Sequence, residues 1–508
     1  MTRFFTYCRE HQIFRFYLLV IPVLWAILLT AVFSLHPRTD FTDYFSLSLW
    51  SLQAVVMVLM MILSTRFMHR MIAEHRASLS DPHPSQEKLT HLVLLPCYNE
   101  PVKVLMATLD SLAEQTASHQ LFVVISLEEK SPDRDQTKAT LEEHYRGRFQ
   151  NFYVTVHPAN IVGEIRGKCS NVRWAISAAR EYTDNQGDAF DPDLTTLTSM
   201  DSDTILHRRY FEVLGDQFLR TPDNFRFSTI WQSGLFYNYG LADSLFFTRV
   251  TALLRSIWMT GFNIPLQVHP MSVFSTSLKL GIDNNYFDPT YQMDDMHFFA
   301  KSMATRSGSV YLKPMYLPLI CGPTSGKDFG DELKEWALQA KRWTIGAFEI
   351  FHYVASQTPK LGLIVTIRLL LTILVLYGLF QSILFVSTLI ASPFWHSLQH
   401  ESHLQSGWWY VVAFVPWVFL IWCFVIDWIL MRHFSPPDRG VSLKRNVLHF
   451  VSAPIVLLAY NLVSFYAIHV LAIRGKAVCT HDVSAKNNLP RSDSEQEVRK
   501  QLIPEVQT

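Results

Sequence analysis

Two hydrophobic patterns alternate along the chain. Long unbroken apolar runs occupy residues 16–35, 45–64, 363–391, 408–431 and 447–473, and between them, over residues 90–350, short apolar runs alternate with amphipathic ones. Each long run reaches about 20 residues, enough to cross a hydrocarbon core about 30 Å thick. The first has no clear small-x-small cleavage site and is soon followed by the second, so it reads as a retained span and not a signal peptide. Arg3, Arg9 and Arg15 before it, and Arg66, His69 and Arg70 after the second run, place both flanks in the cytosol by the positive-inside rule. Residues 392–407 hold no Lys or Arg, whereas Arg432, Arg439, Lys444 and Arg445 follow the fourth run, so the former segment is expected outside and the latter inside. A full fifth span then exports Arg474 and Lys476 against their charge. Either the last run breaks near Pro454 and returns, or the tail is exported nonetheless. Residues 477–508 are polar, with few aromatics, and read as a disordered tail.

Inside the central stretch the period changes. HLVLLP (91–96), LFVVIS (121–126), NFYVTVHP (151–158) and LTTLTSM (194–200) read as strands, with helical patterns at 102–115 and 169–182. Repeated βα units of this length predict an α/β domain with a parallel, nucleotide-binding sheet. The expected division is two spans in 1–70, a cytosolic domain in 85–335, an interfacial amphipathic helix in 336–360, about three spans in 361–474, and the tail. The protein is thus expected to be an integral, multi-pass membrane protein of the cell or inner membrane, in contact with membrane lipids.

Charge and cysteine content narrow the partners. Lys plus Arg and Asp plus Glu number 44 each, so no global field recruits nucleic acid, and none is expected as a partner. The six cysteines show no CxxC pair and no His at metal spacing. They read as free thiols in a reducing compartment.

Candidate chemistry gathers in five places. In LTTLTSMDSDTI (194–205) an apolar strand stops at Asp201 and Asp203, which can meet one hard cation; a solvated turn is the plain alternative. PCYNEP (96–101) ends the first strand with Tyr98 and Glu100, where a base or ribose could rest, or where the chain only turns. In RGKCSN (166–171), Arg166 and Lys168 precede a helix and suit a diphosphate, or form a solvated charge run. Asp294 and Asp295 in YQMDDMHFF (291–299) offer a general base or an N-cap. Gln339, Arg342 and Trp343 form Gln-x-x-Arg-Trp, which arises by chance in about one chain in a hundred of this size. Such a set can bind a sugar or pyrophosphate, or anchor an interfacial helix.

The order and spacing of these motifs resemble the membrane-embedded family 2 glycosyltransferases, the processive group of cellulose, chitin and hyaluronan synthases, over roughly residues 90–360. The resemblance implies a GT-A domain, with a mostly parallel sheet, inserted between transmembrane helices. It implies inverting transfer of a sugar from a nucleotide-sugar, of the UDP-sugar class, to a growing polysaccharide. Carried over by position, Asp201 and Asp203 hold Mg²⁺ or Mn²⁺, Lys168 contacts the diphosphate, and Asp295, beside Asp294, is the base. Gln339, Arg342 and Trp343 then bind the donor and the terminal sugar of the acceptor. Tyr98 and Glu100 match the family's Tyr-Asn-Glu, and His297 stands where such enzymes often carry one. Two departures stand out. Ser126-Leu127-Glu128-Glu129 replaces the acidic segment after the second strand, leaving Glu128 or Glu129 to serve the donor, and PLQVHPMSVFS (265–275) lacks the family's acceptor-site pattern. Transfer to a polyprenyl phosphate or lipid, and a non-catalytic scaffold, are the alternatives. Partner subunits are compatible with either.

Overall fold

The computed structural model describes residues 2–10, 12–19, 40–78, 89–236, 244–374, 408–434 and 441–475. Most of the first apolar run, the third run beyond residue 374 and the 477–508 tail lie outside the described residues.

Leu92, Val93, Leu94 and Leu95 have no exposed surface. A strand buried on both faces needs an unbroken apolar run instead of an alternating one, and that is what β1 (Thr90–Cys97) carries. It pairs in parallel with β2 (Leu121–Glu128) and with β4 (Thr195–Ser199), while β3 (Asn151–His157) pairs in parallel with β2. Helix α1 (Lys168–Gln186) packs on this part of the sheet. Its buried residues Val172, Ala175, Ile176 and Ala179 fall at the i, i+3, i+4, i+7 spacing of one helix face.

Beyond β4 the sheet, expected to be mostly parallel, turns mixed. β5 (Thr204–Leu206), β6 (Thr229–Phe236), β7 (Phe274–Ser277) and β8 (Tyr311–Cys321) complete an eight-stranded sheet of order β3-β2-β1-β4-β7-β6-β8-β5. β7 runs antiparallel to β4 and β6, and β5 runs antiparallel to β8. The carboxyl ends of β1, β2 and β4 open on one side of the sheet, where open α/β sheets bind ligands.

Among the described residues three helices are long and apolar enough to cross a membrane: 50–77, within the helix Asp40–Ser78, and 410–434 and 443–474. The last runs unbroken as Leu443–Arg474 through Pro454, so the broken-helix alternative does not hold. These helices are fastened to the sheet domain by buried polar contacts. Arg249 donates to Asp427 Oδ2 at 2.8 Å and to Asn446 Oδ1 at 2.6 Å, and the hydroxyls of Ser64 and Thr260 stand 2.7 Å apart. The Gln-x-x-Arg-Trp motif lies in the helix Phe329–Ser356, whose second half, from Thr344 on, is buried throughout.

Candidate active site

Six segments converge on a cavity of about 150 Å³. The ends of β1 and β2 supply Tyr98, Glu100 and Glu128; the start of α1 supplies Lys168; the turn after β4 supplies Asp201 and Asp203. The opposite wall brings Asp294, Asp295, Gln339, Arg342 and Trp343. Eleven of the residues singled out from the sequence therefore line one cavity, although 245 positions separate Tyr98 from Trp343, whereas Glu129, Arg166 and His297 are not part of its lining.

Lys168 is the hub. Its Nζ lies 2.7 Å from Asp201 Oδ1 and 3.1 Å from Asp294 Oδ2, and it donates to the Ser272 carbonyl at 2.9 Å. Burial opposes its charge, but the carboxylates of Asp201, Asp294 and Asp295 outweigh burial and raise its pKa above the ordinary lysine value. Asp294 feels the opposite balance. Burial pushes its pKa up to about 6, with Lys168 pulling it down and the neighbouring Asp295 pushing it up. Ser199 donates to Asp294 Oδ2 at 2.6 Å.

The cap alternative for this pair does not hold, because Met293 occupies the N-cap position and Asp294 and Asp295 open the helix Asp294–Thr305. Two carboxylates in a first helical turn are favoured by the helix dipole. Asp295 Oδ2 accepts the Ser272 amide at 2.8 Å. Ser272 itself sits at φ 64, a left-handed backbone uncommon for a serine. Its amide, carbonyl and hydroxyl go to Asp295, Lys168 and Asp201 respectively, so one residue fastens all three.

The end of β2 sends its two glutamates in different directions. Glu128 lines the cavity, whereas Glu129 turns away and accepts the Ala159 amide at 2.6 Å. Glu128 Oε1 accepts from Asn171 at 3.2 Å and pairs with His157 at 3.3 Å, and the other ring nitrogen of His157 stands 3.0 Å from Glu164. Burial opposes the charge on His157, yet Glu128 and Glu164 together raise its pKa above 6.5. The Arg166 guanidinium lies 3.7 Å from Glu128 Oε2 and 5.6 Å from the centre of the Tyr98 ring. Glu100 folds back to accept the Tyr98 amide at 2.8 Å, so the turn is built by one of the residues expected to bind. Across the cavity Thr324 donates to Gln339 at 2.6 Å, and the Arg255 guanidinium stacks 3.8 Å from the Trp343 ring.

Among the described residues no three His, Cys, Asp or Glu side chains are placed to hold a metal ion. The donor chemistry nevertheless fits a hard divalent cation, since Asp201 and Asp203 are two carboxylates on one cavity wall. A Mg²⁺-like ion takes one or two carboxylates and completes its shell with water and phosphate oxygens. Gly322 leaves Asp203 room, as a Cβ there would stand 3.2 Å from Asp203 Oδ2.

Arg255, Ser272 and Gln292 also line the cavity and carried no motif in the sequence. Ser272 falls inside the 265–275 stretch whose pattern departs from the family's, and its position there was the one available signal.

No protein-family model and no curated protein sequence matches the chain. Solved structures similar to it include a mannosyltransferase, PcManGT from Pyrobaculum calidifontis, in complex with GDP-Man and Mn²⁺, at 12% identity and TM-score 0.41, covering 81% of this chain and 99% of that one. S. aureus TarS 1-349 in complex with UDP is similar at 13% identity and TM-score 0.36, covering 74% of this chain and 90% of its own.

Proposed function

We infer that the chain is an inverting glycosyltransferase that moves a sugar from a nucleotide-sugar, of the UDP-sugar class, to a hydroxyl presented at the membrane. The observation that carries this reading is the cavity itself, where a half-buried lysine, the carboxylates Asp201 and Asp203, the Asp294–Asp295 pair and the Gln-x-x-Arg-Trp side chains face one another. Glu128 and Tyr98 flank the base, and Lys168 and Arg342 face the diphosphate as cations. Mg²⁺ or Mn²⁺, when bound at Asp201 and Asp203, neutralises charge on the leaving diphosphate. Asp295 takes the proton of the acceptor hydroxyl while the new C1–O bond forms. The old C1–O bond breaks, and its electron pair leaves with the nucleoside diphosphate.

The sequence resemblance points to a growing polysaccharide as acceptor, with processive addition. An apolar cavity behind Asp295 favours a second acceptor, a lipid that receives one sugar. Both readings share the same test of the transfer step. Purified protein in nanodiscs with Mn²⁺ is supplied with a panel of UDP- and GDP-sugars, and nucleotide release is followed. Release confined to one or a few donors, and reduced at least a hundredfold in Asp295→Asn, is expected. No release from any donor, with lipid and carbohydrate acceptors both present, would leave the scaffold alternative standing.

A further inference from the structure

A second cavity, of about 110 Å³, meets the first at Arg255, Met293, Asp295 and Trp343. One wall belongs to the sheet domain through Leu254, Trp258 and Met296. The facing wall is made by Met60, Phe419 and Leu457, one from each of the three helices that, among the described residues, are long and apolar enough to cross a membrane. The cavity thus lies between the carboxylate pair and the spans.

Its polar lining residues turn their hydrogen bonds inward. Thr251 donates to the Phe247 carbonyl at 2.8 Å and accepts from Trp336 at 2.9 Å. Asn263 accepts from Trp258 at 2.8 Å and stands 3.3 Å from His269, whose other ring nitrogen lies 2.7 Å from the Pro270 carbonyl. Apart from the Tyr460 phenol, the space offers carbon along its length and polar groups at the Asp295 and Arg255 end.

A sugar chain does not suit such a lining, because each hexose brings several hydroxyls that lose water and find few partners. A polyprenyl phosphate suits the polar end poorly. Its anionic head would meet the Asp295 carboxylate as well as the Arg255 guanidinium, and a phosphate nucleophile has no need of a base. A neutral alcohol on a hydrocarbon body satisfies both ends at once.

We propose that the acceptor is a membrane lipid with an apolar body and a neutral hydroxyl head, which enters between the spans and sets its hydroxyl on Asp295. This rests on the transfer reading above and names its acceptor. The hydroxyl oxygen bonds to C1 of the sugar, its proton passes to Asp295, and the nucleoside diphosphate leaves with the electron pair of the broken C1–O bond. One sugar is added per lipid, since the product head is then a polar sugar.

The experiment compares phosphatidylcholine nanodiscs containing diacylglycerol, ceramide or hexadecanol with the same discs given cello- or chito-oligosaccharides. The donor is the nucleotide-sugar that supports nucleotide release. A chloroform-extractable product one sugar heavier than an added lipid is expected. With Leu457→Trp, which fills the cavity, the KM for that lipid should rise at least fivefold with less than a twofold change in donor KM. Elongated oligosaccharide or a sedimentable polymer, with no lipid product, would overturn the proposal and keep the transfer reading. Absence of nucleotide release from every donor would overturn both.

Discussion

Lys168 Nζ stands 2.7 Å from Asp201 Oδ1, inside a cavity that also holds Asp203, Asp294 and Asp295. Lys168 is the cation in direct contact with Asp201 and Asp294, and several expectations follow from removing it or its neighbours.

Lys168→Met takes from Asp201 and Asp294 the cation that contacts both. Breaking a buried pair by removing one partner costs on the order of 3 kcal/mol, so a lower melting temperature is expected. Affinity for nucleoside diphosphate should also fall at least tenfold by calorimetry in the presence of Mn²⁺. Lys168→Arg should recover stability better than affinity, because a planar fork cannot occupy the same three-way contact.

Asp294→Asn probes the carboxylate whose pKa burial pushes up to about 6 from 3.8. A raised carboxylate pKa means the folded state holds its proton more tightly than the unfolded one. The charged group therefore opposes folding above pH 6, and that cost fades as pH falls toward 4. The variant should melt higher than the wild type at pH 8, by about 1–3 kcal/mol in stability. The difference should narrow at pH 5, even though the variant loses activity.

His157→Gln tests the support behind Glu128. With its pKa above 6.5, the imidazolium contributes stability in full below pH 6.5, and the contribution is lost as pH rises through its raised value. The variant should lack that stability profile. Its donor KM should rise about three- to tenfold, with kcat within twofold, in steady-state assays of nucleotide release.

Gly261 tests the seam between the sheet domain and the apolar helix 50–77. A Cβ there would meet the Met60 carbonyl oxygen at 2.7 Å and its Cα at 3.2 Å. Backbone cannot yield as a side-chain tip can, so Gly261→Ala should destabilise by about 1–3 kcal/mol in a thermal melt.

How much of this was legible in the sequence depends on the range of the signal. β1, β2, β3 and β4 were readable because each is a short apolar run bounded by a helix or turn, a local pattern. The Asp201–Asp203 pair and Gln339, Arg342 and Trp343 were readable as motifs. β7 and its antiparallel partners were not, since FSTS carries no apolar run, and its pairing with Leu197 and Trp231 is set by residues far along the chain. Ser272 escaped for the same reason: its role comes from a left-handed backbone and three partners brought together by folding. Arg255 became visible only when Trp343 was seen stacked on it.

The most direct test of a single displacement driven by Asp295 is the configuration at the anomeric carbon. Proton NMR of the first product formed from an α-linked nucleotide-sugar reads it from the anomeric coupling. A β-linked product is expected, with its rate of formation cut at least a hundredfold in Asp295→Asn. An α-linked product, or an unchanged rate in that variant, would contradict the mechanism drawn from this cavity.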